Sequence, residues 1–287
     1  MNRSLGRRGL ALLAAAAMAL LAGCAAGPSP GEGPATDGSA GAEENAAADG
    51  AYAAPAPGAF DYQLGGAYEP PAGTGIVVRD RTAAPLQGGY SVCYVNGFQT
   101  QPGEEGRWRD LLLTDAAGDP VRDPDWPDEL LLDTSTGERR EAIAVLLGEQ
   151  LEGCALDGFD AVEFDNLDSF LRSEGLLEPA DNLSLAEQLV DAAHGLGLAA
   201  AQKNAAELAA AGAGAGFDFA IVEECGEYGE CQAFLDAYPV VLDVEYVDGD
   251  RFAELCASGA LPPNAIRRDL ALEPAGSPGH VFERCEA

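Results

Sequence analysis

Between residues 60 and 245 the chain alternates short apolar runs with longer stretches of helical periodicity. That alternation constrains the fold more than any other feature. The apolar runs are Tyr62–Leu64, Gly75–Val78, Tyr90–Val95, Leu130–Asp133, Phe159–Phe164, Leu198–Gln202, Phe217–Val222 and Val240–Val244. Among the helical stretches, Glu141–Leu156 sets Ile143, Leu146, Leu147 and Leu151 at the spacing of one helix face. Leu183–Leu196 follows Asn182, a residue suited to an N-cap, and ends at Gly195 and Gly197. Glu230–Tyr238 is a third helix, and a last one is expected near Pro262-Pro263-Asn264. The glycine-rich "AAAGAGAG" at 209–216 reads as a loose connection. Strands that alternate with helices form βα units on a parallel sheet. Eight candidate strands over residues 58–287 predict a single (β/α)8 TIM barrel. The alternative is an open doubly wound sheet, but no G-x-G-x-x-G follows the first strand, so a dinucleotide site has no support.

The chain ahead of this domain reads differently. "MNRSLGRRGL" carries Arg3, Arg7 and Arg8 without an acid, and "ALLAAAAMALLAGC" follows as an apolar run. That is a secretory signal over residues 1–23, too short for a membrane span. Leu21-Ala22-Gly23-Cys24 resembles a bacterial lipobox, which implies cleavage before Cys24 and a lipid on its sulfur. Arg7-Arg8 match a twin-arginine export signal only weakly. Residues 24–57 are mostly Ala, Gly, Pro and acid, too poor in apolar surface to fold, and read as a disordered tether. An extracytoplasmic, lipid-anchored protein follows, touching the membrane through the anchor alone.

The net charge is −32, and loss of the three signal arginines makes it −35. Nucleic acid would be repelled and a cationic partner drawn in. Six cysteines lie in the domain: Cys93, Cys154, Cys225, Cys231, Cys256 and Cys285. An even number in an exported chain points to disulfides, with 15 pairings open. Cys225 with Cys231 would close a small loop, and Cys256 with Cys285 would tie down the C-terminal tail, leaving Cys93 with Cys154.

In a barrel of this kind the site lies at the C-terminal ends of the strands. The fifth run, "GFDAVEFDNLD" at 158–168, ends in Glu163, Asp165, Asn166 and Asp168. Other exits supply Tyr94, Asn96, Asp133, Lys203, Asn204, Glu223, Glu224, Glu245 and Tyr246. Glu163 and Asp165 are two apart on a strand and point the same way, so one should take up protons more readily unless a cation stands between them. Lys203, the chain's single lysine, leaves the neighbouring strand where it can serve that purpose. Two carboxylates across a sugar-sized mouth are the equipment of a glycosidase. With two histidines, His194 and His280, and no clustered ligand spacing, no zinc or iron site and no cofactor are expected.

"GFDAVEFDNLD", "GLAAAQKN", "FDFAIVEECGEYGEC" and "VLDVEY", in this order, closely resemble the endo-α-1,4-polygalactosaminidase family, glycoside hydrolase family 114. "FDYQLGG" and "WPDELLLD" resemble its earlier blocks, so the likeness runs from about residue 60 to residue 247. The resemblance implies a (β/α)8 barrel that cleaves polymers of α-1,4-linked galactosamine, which are polycations when their amines are free. By motif position its catalytic Asp falls on Asp165, its catalytic Glu on Glu223 and its Lys-Asn pair on Lys203 and Asn204. The resemblance favours a retaining mechanism. Asp165 is read as the nucleophile or ionised stabiliser and Glu223 as the general acid/base, with Tyr94, Glu163, Asp168, Lys203, Asn204, Glu245 and Tyr246 as substrate-binding. The chain departs from the family pattern at Phe60, where Trp is usual, at Ala161, where Gly is usual, and in "NGFQTQPGEEGRW", where a Gly-x-x-Glu block is blurred. A monomer is expected. The competing readings are a non-catalytic carbohydrate-binding surface lipoprotein on the same barrel and an acidic metal-binding surface protein.

Overall fold

The computed structural model describes residues 52–285. The signal segment, Cys24 and most of the tether lie outside them. One sheet carries nine strands in chain order: β1 (Phe60–Tyr62), β2 (Ile76–Asp80), β3 (Tyr90–Asn96), β4 (Ala161–Asp165), β5 (Ala199–Lys203), β6 (Phe219–Glu223), β7 (Val241–Glu245), β8 (Ile266–Arg268) and β9 (Phe282–Arg284). Pairings from β1 to β8 are all parallel, and β9 returns antiparallel along β8. The helices are α1 (Glu105–Trp108), α2 (Gly137–Asp157), α3 (Pro179–Gly195), α4 (Ala209–Gly214), α5 (Cys225–Tyr228), α6 (Cys231–Ala237) and α7 (Gly249–Ser258).

Period-two alternation divides the strands between two apolar layers. Tyr62, Val78, Val92, Ala161, Ala201, Ile221, Leu242 and Val244 share the inner layer of the curled sheet. Cys93, Val95, Val162, Phe164, Val222 and Val241 join the outer layer under the helices. α2 contributes Ile143, Leu147 and Leu151 to that outer layer, all fully buried, at about 1.5–3 kcal/mol each. The sheet curls until β1 and β8 meet: the fully buried Arg268 donates from Nη1 to Asp61 Oδ1 at 3.0 Å and also to the Tyr62 carbonyl.

The structure corrects four elements of the sequence reading. Leu130–Asp133 is not a strand of the sheet. β3 pairs directly with β4, and residues 130–132 instead make isolated antiparallel bridges to Arg122, Gln99 and Leu112. Asp133 therefore lies away from the strand exits, paired with Arg139 at 3.1 Å. An apolar run alone cannot say which partner covers it. The final element near Pro262 is strand β8 rather than a helix. It was illegible because its inward positions are Ile266 and Arg268, so the apolar signal is a single residue. α3 begins at Pro179, with a capping box between Glu178 and Asp181. Asn182 is not its N-cap but a buried brace, donating to Leu167 O (2.8 Å) and Ser169 Oγ (2.9 Å). Finally, 209–214 is helical. Gly212 is needed there, because a Cβ would come 1.9 Å from Gln202 Oε1.

The cysteines pair as Cys93–Cys154, Cys225–Cys231 and Cys256–Cys285. The first ties β3 to α2, the second closes α5 onto α6, and the third joins α7 to the chain after β9. Among the described residues no helix is long and apolar enough to cross a membrane.

Candidate active site

The exits of β3 to β7 open into a cleft of about 550 Å3. Alternation decides which side chains reach it. On β4 the inward positions are Ala161, Glu163 and Asp165; on β5 they are Ala199, Ala201 and Lys203. Two small alanines beneath Lys203 leave the inner layer room for its long stem. Lys203 is 2% exposed, yet its Nζ meets Asp165 Oδ1 at 3.3 Å, Glu223 Oε2 at 3.3 Å, Glu163 Oε1 at 3.5 Å and Tyr62 OH at 3.1 Å. Burial disfavours its charge, but Asp165, Glu223 and Glu163 together push its pKa well above the usual lysine range.

Each of the two outer carboxylates also receives a tyrosine. Tyr94 OH donates to Asp165 Oδ2 at 2.5 Å, and Tyr246 OH donates to Glu223 Oε1 at 2.5 Å. The Asn166 amide donates to Asp165 Oδ1 at 2.8 Å. Asn204 exchanges two bonds with Glu223, from Nδ2 to Oε2 (3.2 Å) and from the Glu223 amide to Oδ1 (2.8 Å). Burial raises the pKa of Asp165, but Lys203, the Tyr94 hydroxyl and the Asn166 amide outweigh it and hold the carboxyl below its ordinary range. Because Lys203 Nζ is 3.3 Å from both, Asp165 Oδ1 and Glu223 Oε2 are no more than 6.6 Å apart.

The remaining expected site residues divide. Asp168 lines the cleft, held at 2.9 Å by Arg172, which also reaches Asp123 at 2.9 Å. Tyr94, Lys203, Asn204 and Tyr246 line it as well. Glu163 is fully buried beneath the floor, taking Tyr62 OH at 2.8 Å, so it supports Lys203 rather than touching a sugar. Glu245 does not face the cleft. On β7 the inward residues are Leu242 and Val244, followed by Tyr246, so Asp243 and Glu245 point outward toward α5. The sequence reading of Glu245 as substrate-binding is thereby corrected by one-residue register. Asp160 is an exposed acid at the opposite end of β4, accepting from the Ser91 amide at 2.7 Å.

Sequence reasoning missed the wall that residues 97–136 build. Asp123, Asp125, Trp126 and Glu129 from this segment line the cleft, and Trp126 is 59% exposed. Glu129 accepts from Asn96 Nδ2 and Gln99 Nε2, both at 3.0 Å, and burial raises its pKa. The available signal was "DPDWPDE", an exposed aromatic set among acids. The lining holds eight acids, Asp80, Asp123, Asp125, Glu129, Asp165, Asp168, Glu223 and Glu224, against Lys203 and Arg172. Among the described residues, Cys225, Cys231 and Asp243 lie close enough to hold a metal, but the two sulfurs are joined to each other.

Fold, site and family membership place this chain among the glycoside hydrolases. It belongs to glycoside-hydrolase family GH114, whose pattern matches residues 42–287. Its fold is similar to that of Aspergillus fumigatus Ega3 in complex with galactosamine, at 20% identity and TM-score 0.64, over 79% of this chain and 95% of that one. It is also similar to the glycoside hydrolase domain of PelA from Pseudomonas aeruginosa, at 17% identity and TM-score 0.51, over 78% and 98% of the two chains. No curated protein matches the chain.

Proposed function

We propose that this chain is an endo-acting glycoside hydrolase that cleaves α-1,4-linked galactosamine-containing polysaccharide with retention of configuration. The observation that carries the reading is the bridge from Lys203 to Asp165 and Glu223 at the floor of an acidic cleft. The curled sheet, joined at β1 and β8 by Arg268 and Asp61, is then a (β/α)8 barrel with its site at the usual face. In the first step an Asp165 oxygen attacks the anomeric carbon while Glu223 delivers its proton to the departing glycosidic oxygen. In the second, Glu223 takes a proton from the water that attacks the glycosyl ester, and Asp165 leaves as carboxylate. Retaining enzymes hold their carboxyls roughly 5–5.5 Å apart and inverting ones about 6.5–9.5 Å apart. The two oxygens on Lys203 lie within 6.6 Å of each other, which is compatible with the shorter class, and the choice of retention rests on the family resemblance.

The substrate assignment rests on family membership and on charge. Ega3, similar in fold, was crystallised with galactosamine. Eight acids around the cleft suit a polymer bearing free ammonium groups. Together with the lipobox at 21–24, this reading places the enzyme outside the cytoplasm, tethered by lipid on Cys24 and acting as a monomer. The test is incubation with partly deacetylated α-1,4-galactosamine polymer, followed by sizing of products and NMR of the newly formed reducing ends. Internal fragments with α-configured new ends are expected. Unchanged polymer would overturn the substrate, and β-configured ends would overturn the mechanism.

A further inference from the structure

Two strand exits carry an acid pair two residues apart, and the pairs are served differently. Glu163 and Asp165 on β4 share Lys203. Asp243 and Glu245 on β7 face outward, have no exposed surface and receive backbone amides instead. Asp243 Oδ1 accepts from Cys225 N at 3.3 Å, and Glu245 Oε1 accepts from Gly226 N at 2.6 Å. These amides open α5, directly after Glu223. Asp243 Oδ2 and Glu245 Oε2 are buried and lack a partner among the described residues.

The turn they hold is strained and tightly fitted. Glu224, between Glu223 and α5, sits in the left-handed region at φ 55°, a conformation that is costly for a non-glycine residue. Its amide is tied to Val244 O at 2.8 Å. Gly226 fits because it lacks a side chain: a Cβ there would lie 2.7 Å from Glu245 Oε1 and 2.2 Å from Leu261 Cδ2. Three successive amides, those of Glu224, Cys225 and Gly226, are thus fastened to β7. The Cys225–Cys231 disulfide closes the other side.

We propose that Asp243 and Glu245 are positioning residues for Glu223, fixing through the Cys225 and Gly226 amides the turn from which it enters the cleft. The inference rests on Glu223 being the acid/base of the reading above. Two buried carboxylates side by side cannot both ionise without a cation. The titratable groups facing them are Glu223, Glu224, Glu227 and Tyr228, with Glu227 paired with Arg251 at 2.7 Å. Burial first, and Glu245 second, push the Asp243 carboxyl well above its usual range. The pair therefore retains a proton. Loss of that proton in alkali sets two charges against each other and loosens the turn.

The experiment combines hydrogen exchange of segment 223–229 with kinetics on the galactosamine polymer, using the full chain. In Asp243→Ala, exchange at Cys225 and Gly226 should speed up about tenfold or more. Its kcat should fall on the order of a hundredfold, with KM within about twofold, because a small misplacement of the acid weakens the transition state. Unchanged exchange, or a fall confined to KM, would overturn the proposal. Asp243→Asn keeps a donor toward Glu245 and an acceptor for Cys225, and has no proton to lose. The pH at which wild-type segment 223–229 loses protection should rise by about one unit or more in this variant. An unmoved transition would overturn the proposal even if Asp243→Ala does not fold. Exchange needs no substrate, so failure to cleave the polymer would count against the substrate reading alone.

Discussion

Glu163 and Asp165 stand two positions apart on β4, face the same side, share Lys203, and yet shift in opposite directions. Burial pushes the fully enclosed Glu163 up to about 7 despite the lysine. For Asp165 burial is outweighed by Lys203, by the Tyr94 hydroxyl and by its own chain's amide, and the carboxyl is held low. One strand thereby yields a carboxylate kept ionised and, beneath it, an acid that takes up a proton near neutrality.

This difference has a signature in stability. A carboxyl whose folded pKa is raised from 4.5 to about 7 contributes stability below about pH 4.5 and loses it as pH rises toward about 7. Over that window the term is on the order of 3 kcal/mol. Glu163→Gln keeps an acceptor for Tyr62 but cannot ionise. Its stability relative to wild type should therefore climb between those two pH values in urea titrations. A difference that stays flat with pH would remove Glu163 from this role.

Asp165→Asn and Glu223→Gln change charge with almost no change in volume. Each should cut turnover by a factor on the order of 10^4, while circular dichroism stays near wild type. Azide should restore turnover to Glu223→Ala and give a glycosyl azide of retained configuration. Rescue seen only with Asp165→Ala, and with inverted product, would exchange the two roles.

Among the described residues Lys203 is the one cation paired with three carboxylates, and it is buried. Lys203→Met should destabilise the fold by about 3–5 kcal/mol, since it leaves buried charges unpaired. Chemical denaturation measures this directly. A loss below about 1 kcal/mol, the range of surface pairs, would mean that the carboxylates are served by water instead.

Trp126 is exposed on the cleft wall among Asp123, Asp125 and Glu129. An indole beside acids can stack on a sugar ring and attract its ammonium group, worth about 0.5–1 kcal/mol at an exposed site. Trp126→Ala should raise KM about three- to fivefold and leave kcat nearly unchanged. Steady-state kinetics on the polymer decide it, and a change confined to kcat would count against a binding role.

Opening the Cys225–Cys231 ring by Cys225→Ser with Cys231→Ser should cost about 2–3 kcal/mol in the chain-entropy picture. Peptide mapping of the unreduced protein should recover the two cysteines as one linked peptide pair.

Much of this molecule was fixed by local pattern. Six of the eight parallel strands, β2 to β7, were marked by apolar runs, because a strand buried on both faces must be apolar along its length; the run Tyr62–Leu64 meets β1 only at Tyr62. Asp165, Lys203 and Glu223 were legible because each is a charge that ends such a run, where burial without a purpose would be costly. Tertiary structure decided what local pattern leaves open. Leu130–Leu132 looks like any other strand, and only its partners place it in the wall of the cleft. β8 escaped notice because its inward Arg268 is satisfied by Asp61, a residue some two hundred positions away. Glu245 and Tyr246 are neighbours in the chain, and register alone turns one toward α5 and the other onto Glu223. Residue type shows that a charge needs a partner. The folded sheet selects that partner, since contacts between strands depend on register and curl rather than on sequence distance.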